Sequence, residues 1–449
     1  MQQRQRSPLP PPGSRLQIEV TDISSRGLGV GRSPDGVVVM VRGAVPGDRV
    51  TAVVCTLRRS FVEADLAEVQ LPSRDRVEPR CSHFGICGGC ALQHLSGAAQ
   101  RRLKTGRVRE LLRRTAGLAG IPVDDTVPVG PDYEYRNRME FSFAKGRDGP
   151  VLGLHRVDGP VFDLMECHLP LPVMTQWVES VRRLAHTAAG GGDLPLRRLD
   201  IRCSRASGEM LLDLSAGGPL PAPVEEALAR LIGEEGGPAT VTLSRGSRHR
   251  ILAGRGFIRE CLLGLTVPVT PGAFVQTHTA GAEAIYSAAL SWLEAGAPDS
   301  FLDLYSGAGI LALKAARRCR GVVAVEASGG AVAAGRRAAA ENRRQVRFAH
   351  GDALTVSRGL AASGRHFEAG VVNPPRAGLH RELPGVLGHL GLARLAYISC
   401  DPGTLARDLR RLVEIGYRVE RVTPFDLFPQ TAEIEVLARL QGPSGSAAG

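Results

Sequence analysis

The sequence predicts an α/β protein: a doubly wound sheet in its C-terminal part, preceded by a small β-barrel and a mixed α+β middle. Three observations predict this. From about residue 270, short apolar strands alternate with Ala-rich helices, the signature of a parallel sheet with helical crossovers. Residues 15–73 carry several β-branched runs separated by turn signals, as small oligonucleotide-binding barrels do. Residues 121–265 mix strand alternation, as in Met139–Phe143 and Val151–Leu154, with helical stretches. A chain of 449 residues can bury two to four cores.

In chain order, residues 1–14 are Pro-rich and polar and read as a disordered arm without a secretory core. No apolar run reaches about 18 residues, so no membrane span and a cytoplasmic location are expected. Barrel strands are expected at Ile18–Val20, Val37–Val41, Val50–Val54 and Ala64–Val69, with turns at Ser25–Gly27, Ser33–Gly36 and Pro46–Asp48. Phe61 is the module's one aromatic, so backbone and shape contacts suit it better than base stacking. The central domain is expected over 74–265. It opens on CSHFGICGGC and continues into a basic helix at 97–115, whose buried stripe is Leu103, Val108, Leu111 and Leu112. Arg101, Arg102, Lys104, Arg107, Arg109, Arg113 and Arg114 fill its other faces. YRNRM at 135–139 reads as an RNA-contact patch or an ordinary polar edge, and AAGGGD at 188–193 as a flexible loop. The doubly wound domain is expected over 266–441, with a disordered tail at 442–449.

The net charge of +11 points to a polyanionic partner. Lys occurs only at 104, 145 and 314, so the net excess is better evidence than the abundance of Arg. Nine cysteines, an odd number without an export signal, argue against a disulfide framework. The spacing Cys81-x5-Cys87-x2-Cys90 with a distant fourth instead suits zinc or an iron–sulfur cluster.

FLDLYSGAG (301–309) reads as a strand and a Gly-rich turn opening a helix. Gly307 and Gly309 let backbone approach a ligand, and Glu326, ending the next strand, is placed for ribose hydroxyls. Gly307-x-Gly309-x-x-Ala312 also fits a nicotinamide dehydrogenase. The following strand ends favour an S-adenosylmethionine-dependent methyltransferase. Asp352 could meet an adenine amino group, and Asn373-Pro374-Pro375-Arg376 forms a stiff rim for a flat base. LAYISCDPGTL (395–405) ends an inner strand on Cys400, which alone reads equally as a small buried residue. Glu433 and Glu435 are expected on one face of a strand.

In their order, CSHFGICGGC, YRNR, FVQ, DLYSGAG, NPPR, SCDP and PQTAEIE resemble the RNA 5-methyluridine methyltransferases. The likeness is greatest to the bacterial 23S ribosomal RNA enzymes with an N-terminal TRAM domain and a [4Fe–4S] cluster. The resemblance implies that Cys81, Cys87, Cys90 and Cys167 hold the cluster. It implies that Gln276, Tyr305, Glu326 and Asn373 surround S-adenosylmethionine, with Asp352 nearby. It makes Cys400 the nucleophile and Glu435 the base, and the partner RNA, most often 23S ribosomal RNA. Transfer RNA is the alternative substrate, and a non-catalytic RNA-binding protein the alternative role. Asn373, His278 and Glu433 stand where the family commonly has Asp, Asn and His.

Uridine C5 is too weak a nucleophile to take a methyl group unaided. A thiolate added to C6 makes C5 carbanion-like, and a base then removes the C5 proton. A free thiol is only about 3% ionised at pH 7, so a lowered Cys400 pKa is expected, with Arg376 the candidate cause.

Overall fold

The computed structural model describes residues 8–24, 26–115, 117–147, 149–189, 194–246 and 248–443. Residues 1–7 of the expected arm, Ser25 of the first expected turn, 190–193 of the expected loop and 444–449 of the tail lie outside the described residues. The chain divides into two compact units. One comprises Met1–Lys104, Leu154–His168 and Phe428–Glu433; the other comprises Thr105–Gly153, Leu169–Leu427 and Ile434–Gly449.

In the first unit, β1 (Arg15–Ile23), β2 (Gly29–Arg32), β3 (Val38–Arg42), β4 (Arg49–Leu57) and β5 (Phe61–Leu71) close a barrel in the order β1-β2-β3-β5-β4. Ile18, Val20, Val39, Val41, Val50, Val62 and Ala64 fill its interior, as the two-residue period of a strand dictates. Leu9 packs against this core and the Gly13 N–H donates to the Val54 carbonyl at 2.8 Å, so ordered chain precedes β1. Strand β2 escaped the sequence reading because Gly29 and Gly31 break its apolar run. A Cβ on Gly31 would strike Ile18 and the Glu19 carbonyl, so close backbone approach sets the residue there.

Helix α1 (Gly97–Arg114) follows as expected, one residue shorter. Lys104 departs from the expected basic face. It is 1% exposed and its Nζ donates to the Phe428 carbonyl at 3.0 Å, so it faces away from any phosphate. Next, Gln100 and Gln430 exchange side-chain and backbone hydrogen bonds at 2.9–3.0 Å.

The second unit holds β6 (Val127–Pro128), β7 (Arg138–Lys145) and most of β8 (Pro150–His155); β9 (Val161–Asp163) lies in the first unit. Then come α2 (Pro172–Ala189), β10 (Leu196–Cys203), β11 (Met210–Ala216), α3 (Ala222–Arg230), β12 (Thr240–Arg245) and β13 (Arg248–Gly254). A sheet runs β13-β12-β11-β10-β7-β8, and β14 (Ile258–Leu262) with β15 (Leu265–Val269) forms a hairpin. In the YRNR stretch Tyr135 and Asn137 are buried, while Arg136 and Arg138 are half-buried. Asn137 Nδ2 donates to the Gln276 carbonyl at 3.1 Å and to Thr279 at 2.9 Å, and Arg138 grips Asp200 with both nitrogens.

The remaining elements alternate as predicted: α4 (Thr279–Glu294), β16 (Ser300–Leu304), α5 (Ile310–Ala315), β17 (Gly321–Glu326), α6 (Gly329–Glu341), β18 (Arg347–His350), α7 (Ala353–Ala362), β19 (Ala369–Val372), α8 (Leu383–His389), β20 (Arg394–Ser399), α9 (Pro402–Glu414), β21 (Arg418–Asp426) and β22 (Glu435–Gln441). Their sheet has the order β18-β17-β16-β19-β20-β22-β21-β6. The first five strands are parallel, and β22 runs against both β20 and β21. Leu302, Val323, Val372, Leu395 and Leu409 are among its core residues.

Candidate active site

Seven of the sequence-predicted residues gather along one edge, at the C-terminal ends of five adjacent parallel strands. Tyr305, Gly307 and Gly309 follow β16, Glu326 ends β17, Asp352 follows β18, Asn373 follows β19 and Cys400 follows β20. Open α/β sheets bind ligands at this edge. Tyr305, Gly307 and Gly309 all take left-handed backbone, with φ of 60°, 56° and 74°. For Tyr305 that conformation is strained, a cost that ligand sites commonly carry. A Cβ on Gly309 would lie 2.7 Å from the Phe348 ring, whereas one on Gly307 would meet nothing within 4 Å. The loop is therefore packed tightly at Gly309 and open at Gly307.

Glu326 fastens this loop: Oε2 accepts the Gly307 N–H at 2.9 Å and Oε1 the Ser328 N–H at 2.8 Å. Each carboxylate oxygen keeps a further lone pair for a hydroxyl donor. Asp352 caps α7, accepting from the Leu354 and Thr355 N–H groups. The open Gly307 face, the Glu326 acceptor and the capped Asp352 suit a nucleoside-bearing methyl donor such as S-adenosylmethionine.

Cys400 and Glu435 meet through strand register. Ser399 pairs with Val436, so the next step of the antiparallel ladder sets Cys400 opposite Glu435. Glu435 is 3% exposed. Burial pushes the Cys400 thiol up to about 11; Glu435 pushes the same way, and Arg376 opposes them. The expected lowering is thus absent from the ligand-free site, because burial and a carboxylate outweigh the guanidinium. Arg376 does act in the expected direction.

The rim carrying Asn373 and Arg376 is clasped by a residue the sequence reading missed. Asp408, with a fully buried side chain, accepts from the Leu379 N–H at 2.7 Å and the Tyr397 hydroxyl at 2.9 Å. Arg407 donates to Asp408 at 2.9 Å and to the Ala377 carbonyl at 2.7 Å. At Gly378, with φ of 76°, a Cβ would run into Asp408 itself. One carboxylate thus joins the NPPR rim, the strand leading to Cys400 and the helix after it.

Gln276 is 5% exposed. It hydrogen-bonds the Tyr286 hydroxyl, and burial with the nearby Glu435 and Asp303 charges pushes that phenol far above its usual range. His278 caps α4, its Nδ1 accepting the Gly281 N–H at 3.1 Å, and stacks on Tyr135 at 4.8 Å. Asn could make the same cap, so this departure from the family pattern preserves the local fold. Glu433 does not share a strand face with Glu435. It is exposed and precedes β22.

The tRNA (Uracil-5-)-methyltransferase family matches residues 240–441, and the TRAM domain matches 12–67. A protein named "uncharacterized RNA methyltransferase" from Gloeobacter violaceus is 30% identical, over 96% of this chain and 97% of its own length. One of the same description from Geobacter sulfurreducens is also 30% identical, over 95% and 90%. The chain belongs to the RNA uracil-5 methyltransferases. The crystal structure of Pyrococcus abyssi tRNA (uracil-54, C5)-methyltransferase with S-adenosyl-L-homocysteine shares the fold. Its TM-score is 0.73 at 22% identity, over 95% of this chain and 100% of that one. The dehydrogenase alternative falls: the enzyme is S-adenosylmethionine-dependent.

In the methyltransferase's first unit, Cys81, Cys87 and Cys90 lie in a run of turns. Glu166, beside Cys167, accepts from the Ser82 N–H at 3.1 Å and its hydroxyl at 2.6 Å. That tie brings the segment carrying Cys167 to the one carrying Cys81. The Gly89 N–H points at the Cys87 sulfur at 3.4 Å, a contact suited to a thiolate ligand. His83 and Glu166 also offer ligand atoms within 4.8 Å of Cys81, so the four-cysteine set has oxygen and nitrogen neighbours. Among the described residues, no helix is long and apolar enough to cross a membrane.

Asp408, Tyr286 and Asp303 are the site residues that sequence reasoning missed. Asp408 left a signal: it lies on the same face of α9 as Leu405, Leu409 and Leu412, where a carboxylate needs a reason. Tyr286, within an apolar helix, left none.

Proposed function

We propose that the methyltransferase makes 5-methyluridine in 23S ribosomal RNA through a transient bond from Cys400 Sγ to uridine C6. The observation that carries this reading is the register setting Cys400 opposite Glu435 at the ligand edge. In the proposed sequence the Cys400 thiol loses its proton to solvent water and the thiolate adds to C6. The electron pair moves onto the C4 carbonyl; as it returns, C5 would take the methyl group, and the pair of the broken S–CH3 bond would stay on the sulfur of the departing S-adenosylhomocysteine. Glu435 then accepts the C5 proton, and the C6–S bond breaks to restore the ring. S-adenosylmethionine would supply the electrophilic methyl and be held by Gln276, Tyr305, Gly307, Gly309, Glu326, Asp352 and Asn373. The half-buried Cys400 thiol is protonated at rest, because burial and Glu435 both raise its pKa. Arg376 offsets part of that rise.

We assign Cys81, Cys87, Cys90 and Cys167 to a [4Fe–4S] cluster that organises the first unit; the methyl transfer itself needs no electrons. The barrel module and the cysteine loop support ribosomal RNA. A specific observation favours a second reading, transfer RNA: the shared fold with an enzyme described as acting on tRNA uracil-54. Labelled methyl transfer to unmodified 23S ribosomal and transfer RNA transcripts, with the product nucleotide mapped, separates the two. Cys400→Ala should abolish transfer to either. Undiminished transfer in that variant would overturn the covalent route.

A further inference from the structure

The opposite edge of the same sheet carries a second feature. At the N-terminal ends of β17 and β18, Arg320, Arg344, Arg347 and Arg365 line a cleft of about 440 Å³. Strand β17 has six residues, so this cleft lies about 20 Å of strand away from Glu326 and the methyl-donor edge. None of the four guanidinium groups is in an ion pair among the described residues, and buried Arg344 Nε has no hydrogen-bond partner. Some neighbouring charges are paired. Arg318 pairs with Glu294 at 3.0 Å, and Arg358 pairs with Glu382. Glu341, three residues from Arg344, is taken by Arg259 at 3.0 Å. Arg317 and Arg343, close in sequence, are likewise outside any ion pair among the described residues, so what sets the four apart is their convergence on one cleft. The backbone fixes two of them: Val323 pairs with Arg347 in register, and the Arg320 N–H donates to the Asp299 carbonyl at 3.0 Å.

We propose that this cleft binds the phosphodiester backbone of the RNA substrate, away from the reacting uridine. Four like charges repel one another unless an anion neutralises them. Planar guanidinium forks match phosphate oxygens. Arg320, Arg347 and Arg365 are exposed at the cleft, as suits a polymer laid across it more than a small ion enclosed in it. The proposal rests on the RNA substrate that the family implies, and not on the Cys400 chemistry.

The test is the salt dependence of binding to a 23S ribosomal RNA transcript and to a transfer RNA transcript. For R320Q/R347Q/R365Q, the slope of log K against log salt should shrink by about 2–3, at roughly 0.7–0.9 for each phosphate that the variant leaves unneutralised. That smaller slope on at least one transcript is the expected result. Methylation of a short uridine oligomer should be unchanged, which also shows that the variant is folded. R320K/R347K/R365K should keep most of the slope, because a point charge still neutralises a phosphate. An unchanged slope on both transcripts in the Gln variant would overturn the proposal. So would saturable binding of inorganic phosphate that disappears in that variant while its RNA slope stays intact, since the cleft would then be a small-anion site. Cys400→Ala should abolish methyl transfer yet leave the slope alone, so failure of the covalent reading and failure of this one are distinguishable.

Discussion

Replacing Glu435 by Gln should move two steps in opposite directions. The Cys400 thiol sits at about 11 in the ligand-free site, with Glu435 the largest charge effect after burial. At pH 7.5 such a thiol is ionised to roughly 3 parts in 10⁴, against about one in ten for a free cysteine. The gap is a factor of about 300, or ~3.4 kcal/mol. Glu435→Gln keeps the side-chain volume and removes the like charge, so the thiolate fraction must rise, tenfold for each pKa unit recovered. Alkylation by iodoacetamide, followed by mass spectrometry on the peptide carrying Cys400, should therefore be faster in the variant. Turnover should nevertheless fall by about 10²–10⁴, the usual contribution of a positioned base, because the C5 proton has no acceptor. Methylated RNA should then accumulate bonded to protein and survive a denaturing gel. Slower alkylation in the variant would refute the electrostatic argument, and undiminished turnover would refute the assignment of the base. Wild-type Cys400 alkylated as fast as a free thiol at pH 7.5 would refute the raised pKa itself.

Arg376→Gln should slow Cys400 alkylation at fixed pH, because it removes the charge that opposes Glu435; Arg376→Lys should restore most of the rate. Asp408→Ala leaves the Leu379 N–H, the Tyr397 hydroxyl and Arg407 without their acceptor, so a loss of about 3–5 kcal/mol in denaturant unfolding is expected. Gly309→Ala forces a Cβ against Phe348 at positive φ and should weaken S-adenosylmethionine binding in calorimetry while leaving RNA binding intact. Burial lowers the pKa of both His94 and His278 to about 4. A lowered folded-state pKa favours the neutral ring, so its contribution is complete above the unfolded value of about 6.5 and is lost as pH falls from there towards 4. Stability should therefore drop across pH 6.5 to 4 by up to about 3 kcal/mol per histidine, measured by urea unfolding; a flat profile would contradict it.

The parallel part of the sheet was legible because each strand there is a short apolar run closed by a turn signal, and each functional residue stands just past that signal. Tyr305, Glu326, Asp352, Asn373 and Cys400 all obey that rule, so their common edge could be read without coordinates. Strand β2 was illegible for the opposite reason: its glycines serve a close approach to β1, a tertiary fact with no local signature. Lys104 misled because helical periodicity counts a lysine as surface, whereas its ammonium reaches the Phe428 carbonyl far along the chain.

Glu435 marks the boundary between the two kinds of information. Alternation places it on an apolar strand, but it cannot say which neighbour that strand joins or in which direction. Had β22 run parallel to β20, its first residue would lie at the N-terminal edge, a strand length from Cys400. Because β22 runs antiparallel between β20 and β21, its first residue falls at the last residues of β20. Glu433 lies outside the strand, which begins at Glu435, so the alternation expected to join the two carboxylates stops between them. The proposed chemistry thus depends on strand direction, a property of non-local pairing, more than on any motif around the base.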